Sequence, residues 1–419
     1  MHLTDHDQKI LSGNEGEAAR LAMQILVDLG EIFDADEMMP VSQAHIDMTL
    51  YMVDAGVEFV ERMAELGGRF AVPTQLNPSA VDFRRCRELR VPLELEEKSR
   101  RLERAYLKMG ATPTWTCAPY QQGMVPGFGE QIAWGESNAI AFANSVIGAR
   151  TNRYADLVDV CAGIIGRVPR FGLHLSENRR AEVLVTLKGF TPEMFASSAI
   201  YPLLGYAFGE IAADRIAALE GMPVEVTIDD LKAFSAAAAS SGAVGLFHLI
   251  GITPEAPSLG ACFAGGAPVP VVVTPQMVAD AEERLSDSTI EEPDLVALGC
   301  PHFSADEFTD LAGLLRGRPV HESITCWVFT SRAVYAQIEE RDQLARLKSA
   351  GIAVFTDGCP LQYPAQNWDF RTVMSNSAKF ANYCYSQTGL RVIYGSLREC
   401  VETAVNGRVS REANLWRRN

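Results

Sequence analysis

Apolar residues recur every three or four positions early in the chain. Between Gly16 and Val27, residues such as Leu21, Ala22, Ile25 and Leu26 fall at helical spacing, which predicts a helix that stops near Gly30. A second helix is predicted over Gly56 to Leu66, ending at Gly67-Gly68. On this texture residues 1–115 read as a mainly helical N-terminal region. From Val269 onward the pattern changes. Val269 to Val273 is a β-branched run, and Thr274-Pro275 supplies an N-cap and first-turn proline for a helix through Arg284. Leu295 to Leu298 reads as a short buried strand ending at Gly299-Cys300. Ser304 and Glu307 form a capping box for a helix that stops at Gly317.

The strand pattern returns at Ile324 to Thr330, Ile352 to Thr356 and Leu390 to Ile393, with helices over Ser331 to Ala350 and Ser396 to Val405. Apolar strands separated by helices of this length predict an α/β protein whose parallel-rich sheets are covered by helices. Residues 116–268 are expected to form a central α/β region with a polar cluster, and residues 269–419 an α/β region carrying Cys300 and Cys359. The apolar stretch from Ala236 to Ile252 is interrupted by Ser240, Ser241, Gly242, His248 and Gly251 and reads as a buried or site-lining segment. No run reaches the ~18 uninterrupted apolar residues of a membrane span.

Composition narrows the classes. With 419 residues, 47% hydrophobic and 21% charged, the chain can build two or three domains with sizeable cores. A formal net charge of −16 disfavours nucleic acid as a partner, because phosphate binding needs a basic surface. The N-terminus has no basic stretch followed by an apolar run, so a cytoplasmic protein with reduced thiols is expected. Its nine cysteines contain no CxxC pair. A metal site would therefore draw its ligands from distant parts of the chain.

Three cysteines share a setting. Cys117, Cys300 and Cys359 each have a proline one or two residues later, and the last two follow apolar runs. Cys300 and Cys359 are expected at carboxyl ends of strands, where open α/β sheets bind ligands, and Cys117 could point into the same crevice. Any one of them alone is more simply a small buried hydrophobe. The other six, Cys86, Cys161, Cys262, Cys326, Cys384 and Cys400, read as structural. The densest polar cluster runs from Glu136 to Arg153. On a helix Glu136, Ser137 and Asn144 fall near one face among apolar neighbours, and Arg150 and Asn152 follow Gly148. Arginine offers a fork for a carboxylate, and asparagine both donates and accepts. The bland alternative is a capped surface helix. His45 and Asn77 lie in turn-like loops, Lys379 is a lone cation among small polar residues, and His248 reads as a satisfied core histidine.

The stretches around His45, Cys117, Glu136 to Arg153, Cys300 and Cys359, with the opening Leu3-Thr4…Gly13-Asn14-Glu15-Gly16, resemble the aconitase X family from the first residues to about Gly407. The resemblance implies an aconitase-like fold and a dehydratase whose iron–sulfur cluster, 2Fe-2S or 4Fe-4S, is held by three cysteines matching Cys117, Cys300 and Cys359. It also implies a small swivelling β-rich domain that supplies a serine; the family's large-subunit pattern takes up this whole sequence, so that domain is expected on a partner subunit. Bacterial members commonly dehydrate cis-3-hydroxy-L-proline to Δ1-pyrroline-2-carboxylate, and archaeal members dehydrate phosphomevalonate. The sequence departs from the family pattern at Asp47, where a small residue or glycine is expected after His45-Ile46.

The resulting expectation is a hydro-lyase large subunit acting on a small hydroxy acid, hydroxyproline ahead of phosphomevalonate because no dense basic or glycine-rich phosphate cradle is evident. Catalytic groups are expected among Glu136, Ser145, Lys379 and His45, and substrate-binding groups among Asn77, Ser137, Asn144, Arg150 and Asn152. The reading from another class is a non-catalytic iron–sulfur sensor or RNA-binding regulator. Against it stand the acidic charge and the polar cluster, which suits a small-molecule pocket.

Overall fold

A computed structural model describes residues 1–362, 365–413 and 416. Three parallel sheets follow one another along the chain. The first is three-stranded, from β1 (Ala44–Ile46), β2 (Thr74–Leu76) and β3 (Ala133–Trp134), in the order β2-β1-β3. The second has four strands, β4 (Val183–Leu187), β5 (Ala217–Glu220), β6 (Phe247–Leu249) and β7 (Val271–Val273), in the order β6-β5-β4-β7. The third has five, β8 (Leu295–Phe303), β9 (Thr325–Thr330), β10 (Ile352–Phe355), β11 (Thr372–Ser375) and β12 (Arg391–Tyr394), in the order β10-β9-β8-β11-β12. In the third sheet the chain winds outward through β9 and β10, then returns to the other side of β8. That reversal opens a crevice at the carboxyl ends of β8 and β11.

The apolar runs of β8, β9 and β10 are buried on both faces, as parallel strands covered by helices must be. Two helices start where the sequence signals them. Thr274 precedes the helix Pro275–Arg284, and the Ser304–Glu307 capping box starts Ala305–Leu315. The Ala236–Ile252 stretch is the end of a helix, Ile228–Ser241, followed by β6, and Ala236 to Ala239 are sealed in the core.

Four local expectations change. The N-terminal region carries β1 and β2 as well as an antiparallel pair, Met38–Pro40 with Arg167–Pro169. Strands of three residues buried throughout show no alternation for a sequence pattern to reveal. The first long helix, Glu17–Ile32, runs through Gly30, where a Cβ would come within 2.8 Å of the Met1 sulfur and 3.1 Å of Pro169; Gly30 is a packing contact there, not a stop. Residues 331–350 form two helices, Arg332–Glu340 and Gln343–Ser349, parted at Asp342, whose φ is +63°. The Val269 run pairs only from Val271, Val269 being almost fully exposed.

Candidate active site

The carboxyl ends of strands from two sheets face one cavity of about 200 Å³. Asp47 follows β1, Asn77 follows β2 and Glu136 follows β3. Cys300 lies within β8, Cys359 follows β10, and Lys379 opens the helix Ala378–Thr388 after β11. Cys117, from the loop after the long helix Leu93–Met109, completes the wall.

All nine cysteines are free; six are buried, and the three that keep partial exposure are Cys117, Cys300 and Cys359. Each is held by its own device. Asn138 Nδ2 donates to the Cys117 carbonyl at 2.9 Å, and the His302 N–H donates to Cys117 Sγ at 3.3 Å. Gly299, with φ +96°, lets β8 turn at Cys300; a Cβ there would sit 2.2 Å from the Phe329 carbonyl oxygen. The Cys359 turn is tied to the N-terminal region, with Ser79 N–H donating to the Asp357 carbonyl at 2.6 Å and Cys359 N–H to the Ser79 carbonyl at 3.0 Å. Arg332 grips the buried Asp357 carboxylate with two bonds of 2.6 and 2.8 Å.

Burial pushes each of the three thiols up to about 12. Metal coordination is the ordinary way to hold such a buried sulfur as thiolate. Among the described residues no three or more His, Cys, Asp or Glu side chains are gathered around one point as a site for a single metal ion. The three sulfurs instead border a cavity together, each acting electrostatically on another. Three soft donors around an accessible space fit a polynuclear iron–sulfur group with one iron left without a protein ligand.

Glu136 and Lys379 form an ion pair in the same cavity. Burial opposes the Glu136 charge, but Lys379 and the Ala139 N–H, which donates to its carboxylate at 2.7 Å, hold its pKa below the usual range. Burial likewise opposes the Lys379 charge. Glu136 and the nearby Cys300 and Cys117 sulfurs outweigh it and hold the ammonium. Ser137 lines the cavity beside them. His302, which the sequence did not single out, also lines it; burial brings its pKa down to about 4, and Nε2 bonds the Gly358 carbonyl at 3.0 Å.

The remaining expected site residues lie outside this wall. His45 is buried behind it, brought down to about 4 by burial, with Nε2 on the Thr116 carbonyl at 2.9 Å, so it props the Cys117 loop. Asn144 bonds Thr151 through both backbone groups, at 2.9 and 3.0 Å, and also receives Arg179. Ser145 Oγ accepts from Phe247 N–H at 2.8 Å. Asn152 joins Phe171 and Leu173 and lines a separate cleft of about 540 Å³. Arg150 reaches the His174 carbonyl at 3.4 Å. This polar stripe therefore satisfies backbone groups between the first two sheets, a use that leaves the same sequence pattern as a ligand site. His248 is a core histidine, its Nε2 2.7 Å from the Arg179 carbonyl oxygen.

Family models for the aconitase X first, second and third domains match residues 1–177, 181–283 and 293–406. The chain is 44% identical to the cis-3-hydroxy-L-proline dehydratase of Pseudomonas aeruginosa, over 98% of this chain and 71% of that protein. It is 39% identical to the enzyme of the same name from Hypocrea jecorina, over 97% and 69%. With the phosphomevalonate dehydratase large subunit of Methanosarcina mazei it shares 35% identity, over 97% and 98%. The crystal structure of Thermococcus kodakaraensis aconitase X in its holo-form superposes with a TM-score of 0.87 at 32% identity, covering 96% of this chain and 100% of that one. In fold and sequence alike, the chain belongs to the aconitase X family.

Proposed function

We propose that this chain is the large, catalytic subunit of a dehydratase that removes water from cis-3-hydroxy-L-proline, giving Δ1-pyrroline-2-carboxylate. One observation carries the reading: three part-exposed thiols and the Glu136–Lys379 ion pair wall a single cavity at the carboxyl ends of parallel strands. The names of two relatives that match nearly the whole chain supply the substrate.

Cys117, Cys300 and Cys359 would hold an iron–sulfur cluster, and the chemistry it supplies when bound is Lewis acidity toward the departing hydroxyl. The chain's own groups do the rest. Lys379 is the only lysine or arginine among the described lining residues, so the substrate carboxylate belongs against its ammonium. That contact competes with Glu136 for Lys379 and frees the Glu136 carboxylate to take the proton α to the substrate carboxylate. The C–H electron pair becomes the ring double bond as the hydroxyl leaves the neighbouring carbon, and the enamine tautomerises to the imine.

A single cation is thin for a phosphate, which places phosphomevalonate second. A cavity of this size and a net charge of −16 favour a small substrate over RNA. The reading includes a small partner subunit, supported by the match over 98% of a protein named as a large subunit. The test is a dehydration assay of the full chain, reconstituted with iron and sulfide and mixed with a small partner. Turnover of cis-3-hydroxy-L-proline supports the reading. Turnover of phosphomevalonate alone moves the chain to the other chemistry.

A further inference from the structure

We propose that Asp47 and Asn77 form a subsite for the secondary ammonium of the substrate, so that the enzyme selects cyclic amino acids over purely anionic hydroxy acids. The proposal deepens the function given above and rests on it for the placement of the carboxylate at Lys379. Ile46 and Leu76 are paired in register on adjacent strands, so the residues that follow them, Asp47 and Asn77, stand side by side on the cavity wall. Asn77 Nδ2 donates to Asp47 Oδ1 at 2.5 Å, which fixes the amide's orientation. Its Oδ1 is then left buried without a partner, on a side chain only 4% exposed. A buried acceptor without a donor is costly, and a ligand N–H would relieve it.

Charge points the same way. The Asp47 carboxyl shares a hydrogen bond with Asp156 that favours a charged, accepting Asp156 carboxylate, and Asp159 accepts the Asp47 N–H at 2.6 Å. Glu136 also acts on Asp47, and the Lys379 ammonium that opposes these charges is itself paired with Glu136. No protein side chain can approach from Gly135, where a Cβ would lie 2.3 Å from Asp159 Oδ2 and 2.8 Å from Asp47 Cβ. The cavity thus holds more carboxyls than cations, and a positive ligand completes it. Burial together with these carboxyls holds the Asp47 pKa well above the usual range, and a bound cation would draw it back down. A secondary ammonium has two N–H bonds, one for the Asp47 carboxylate and one for Asn77 Oδ1, while the ligand carboxylate faces Lys379.

The experiment compares L-proline with tetrahydrofuran-2-carboxylate, in which oxygen replaces the ring NH₂⁺. Calorimetric binding is measured on the full chain loaded with iron and sulfide, for the wild type, Asp47→Asn and Asp47→Glu. The wild type is expected to prefer L-proline by at least about tenfold, the effect of one charge-assisted hydrogen bond. Asp47→Asn should lose that preference while keeping its affinity for the oxygen analogue, and Asp47→Glu should restore part of it. Equal binding of both ligands by the wild type, no binding of either, or an unchanged preference in Asp47→Asn would each overturn the subsite. Loss of both ligands together in Asp47→Asn, with an unchanged melting temperature, would also overturn it. Binding needs no turnover, so a chain that selects L-proline yet dehydrates nothing keeps the subsite and loses the proposed reaction.

Discussion

Cysteine burial separates two kinds of thiol: six are sealed in apolar packing, and three share a cavity. Replacing Cys117, Cys300 or Cys359 by serine should each lower the iron bound after anaerobic reconstitution to a minor fraction. Cys326→Ser, deep in β9, should bind iron as the wild type does per folded molecule. A full complement of iron in any of the first three variants would remove that residue from the ligand set. Asp159 gives a pH signature. Burial raises its pKa to about 7, above its ordinary value of 3.8. The folded chain therefore holds a proton that the unfolded chain releases between those values, and stability present below about pH 4 is lost as pH rises toward 7. Asp159→Asn has no such loss, so it should gain on the wild type by about 1 kcal/mol or more between pH 5 and pH 8 in urea titrations of the metal-free chain. An identical gap at both pH values would refute that assignment. That Cys117, Cys300 and Cys359 border one cavity was legible in part, because each is followed by a proline and two follow apolar runs. The stripe from Asn144 to Asn152 misled because a polar side chain that satisfies backbone and one that awaits a ligand look alike in one dimension.

At the scale of elements, β8 and its successor helix do the positioning. Gly299→Ala should destabilise the chain by at least about 2 kcal/mol, since both its positive φ and the Phe329 carbonyl oppose a Cβ. It should also displace Cys300 and reduce iron binding. Ser304→Ala removes a capping-box partner and should cost only about 1 kcal/mol, leaving iron binding intact. Chemical denaturation and iron analysis of the two variants separate the effects; equal iron loss in both would argue against a special role for the Gly299 turn. The helix beginning near Glu17 and the apolar runs from Ile324 to Thr330 and from Ile352 to Thr356 were readable because their period is sampled several times, whereas the helices Leu93–Met109 and Ile200–Ala212 were not singled out. The three- and four-residue strands β1, β2 and β11 were not, since their identity comes from the neighbours they pair with.

For the molecule as a whole, the alternation of strands and helices announced the α/β class, but no local signal carries the strand orders β6-β5-β4-β7 and β10-β9-β8-β11-β12, which are set by long-range pairing. The proposed small partner would be received by the surface beside the cavity. Met52 and Val53, just past the cavity-lining Leu50, are 52% and 58% exposed. Replacing both by aspartate should weaken association with the small partner at least about tenfold, with the melting temperature of the large chain unchanged, as measured by calorimetry. Unchanged association would place the partner elsewhere. The spread of the cavity wall along the chain, from Asp47 to Gln387, carries a kinetic consequence. Closing the cavity brings together segments spread over most of the chain, from the Asp47 and Asn77 strand ends to the helix bearing Lys379, so an early fragment of the nascent chain lacks part of its wall. During refolding, far-ultraviolet ellipticity should recover before the chain becomes competent to take up iron, because helices need only their neighbours and the cavity needs nearly the whole polypeptide.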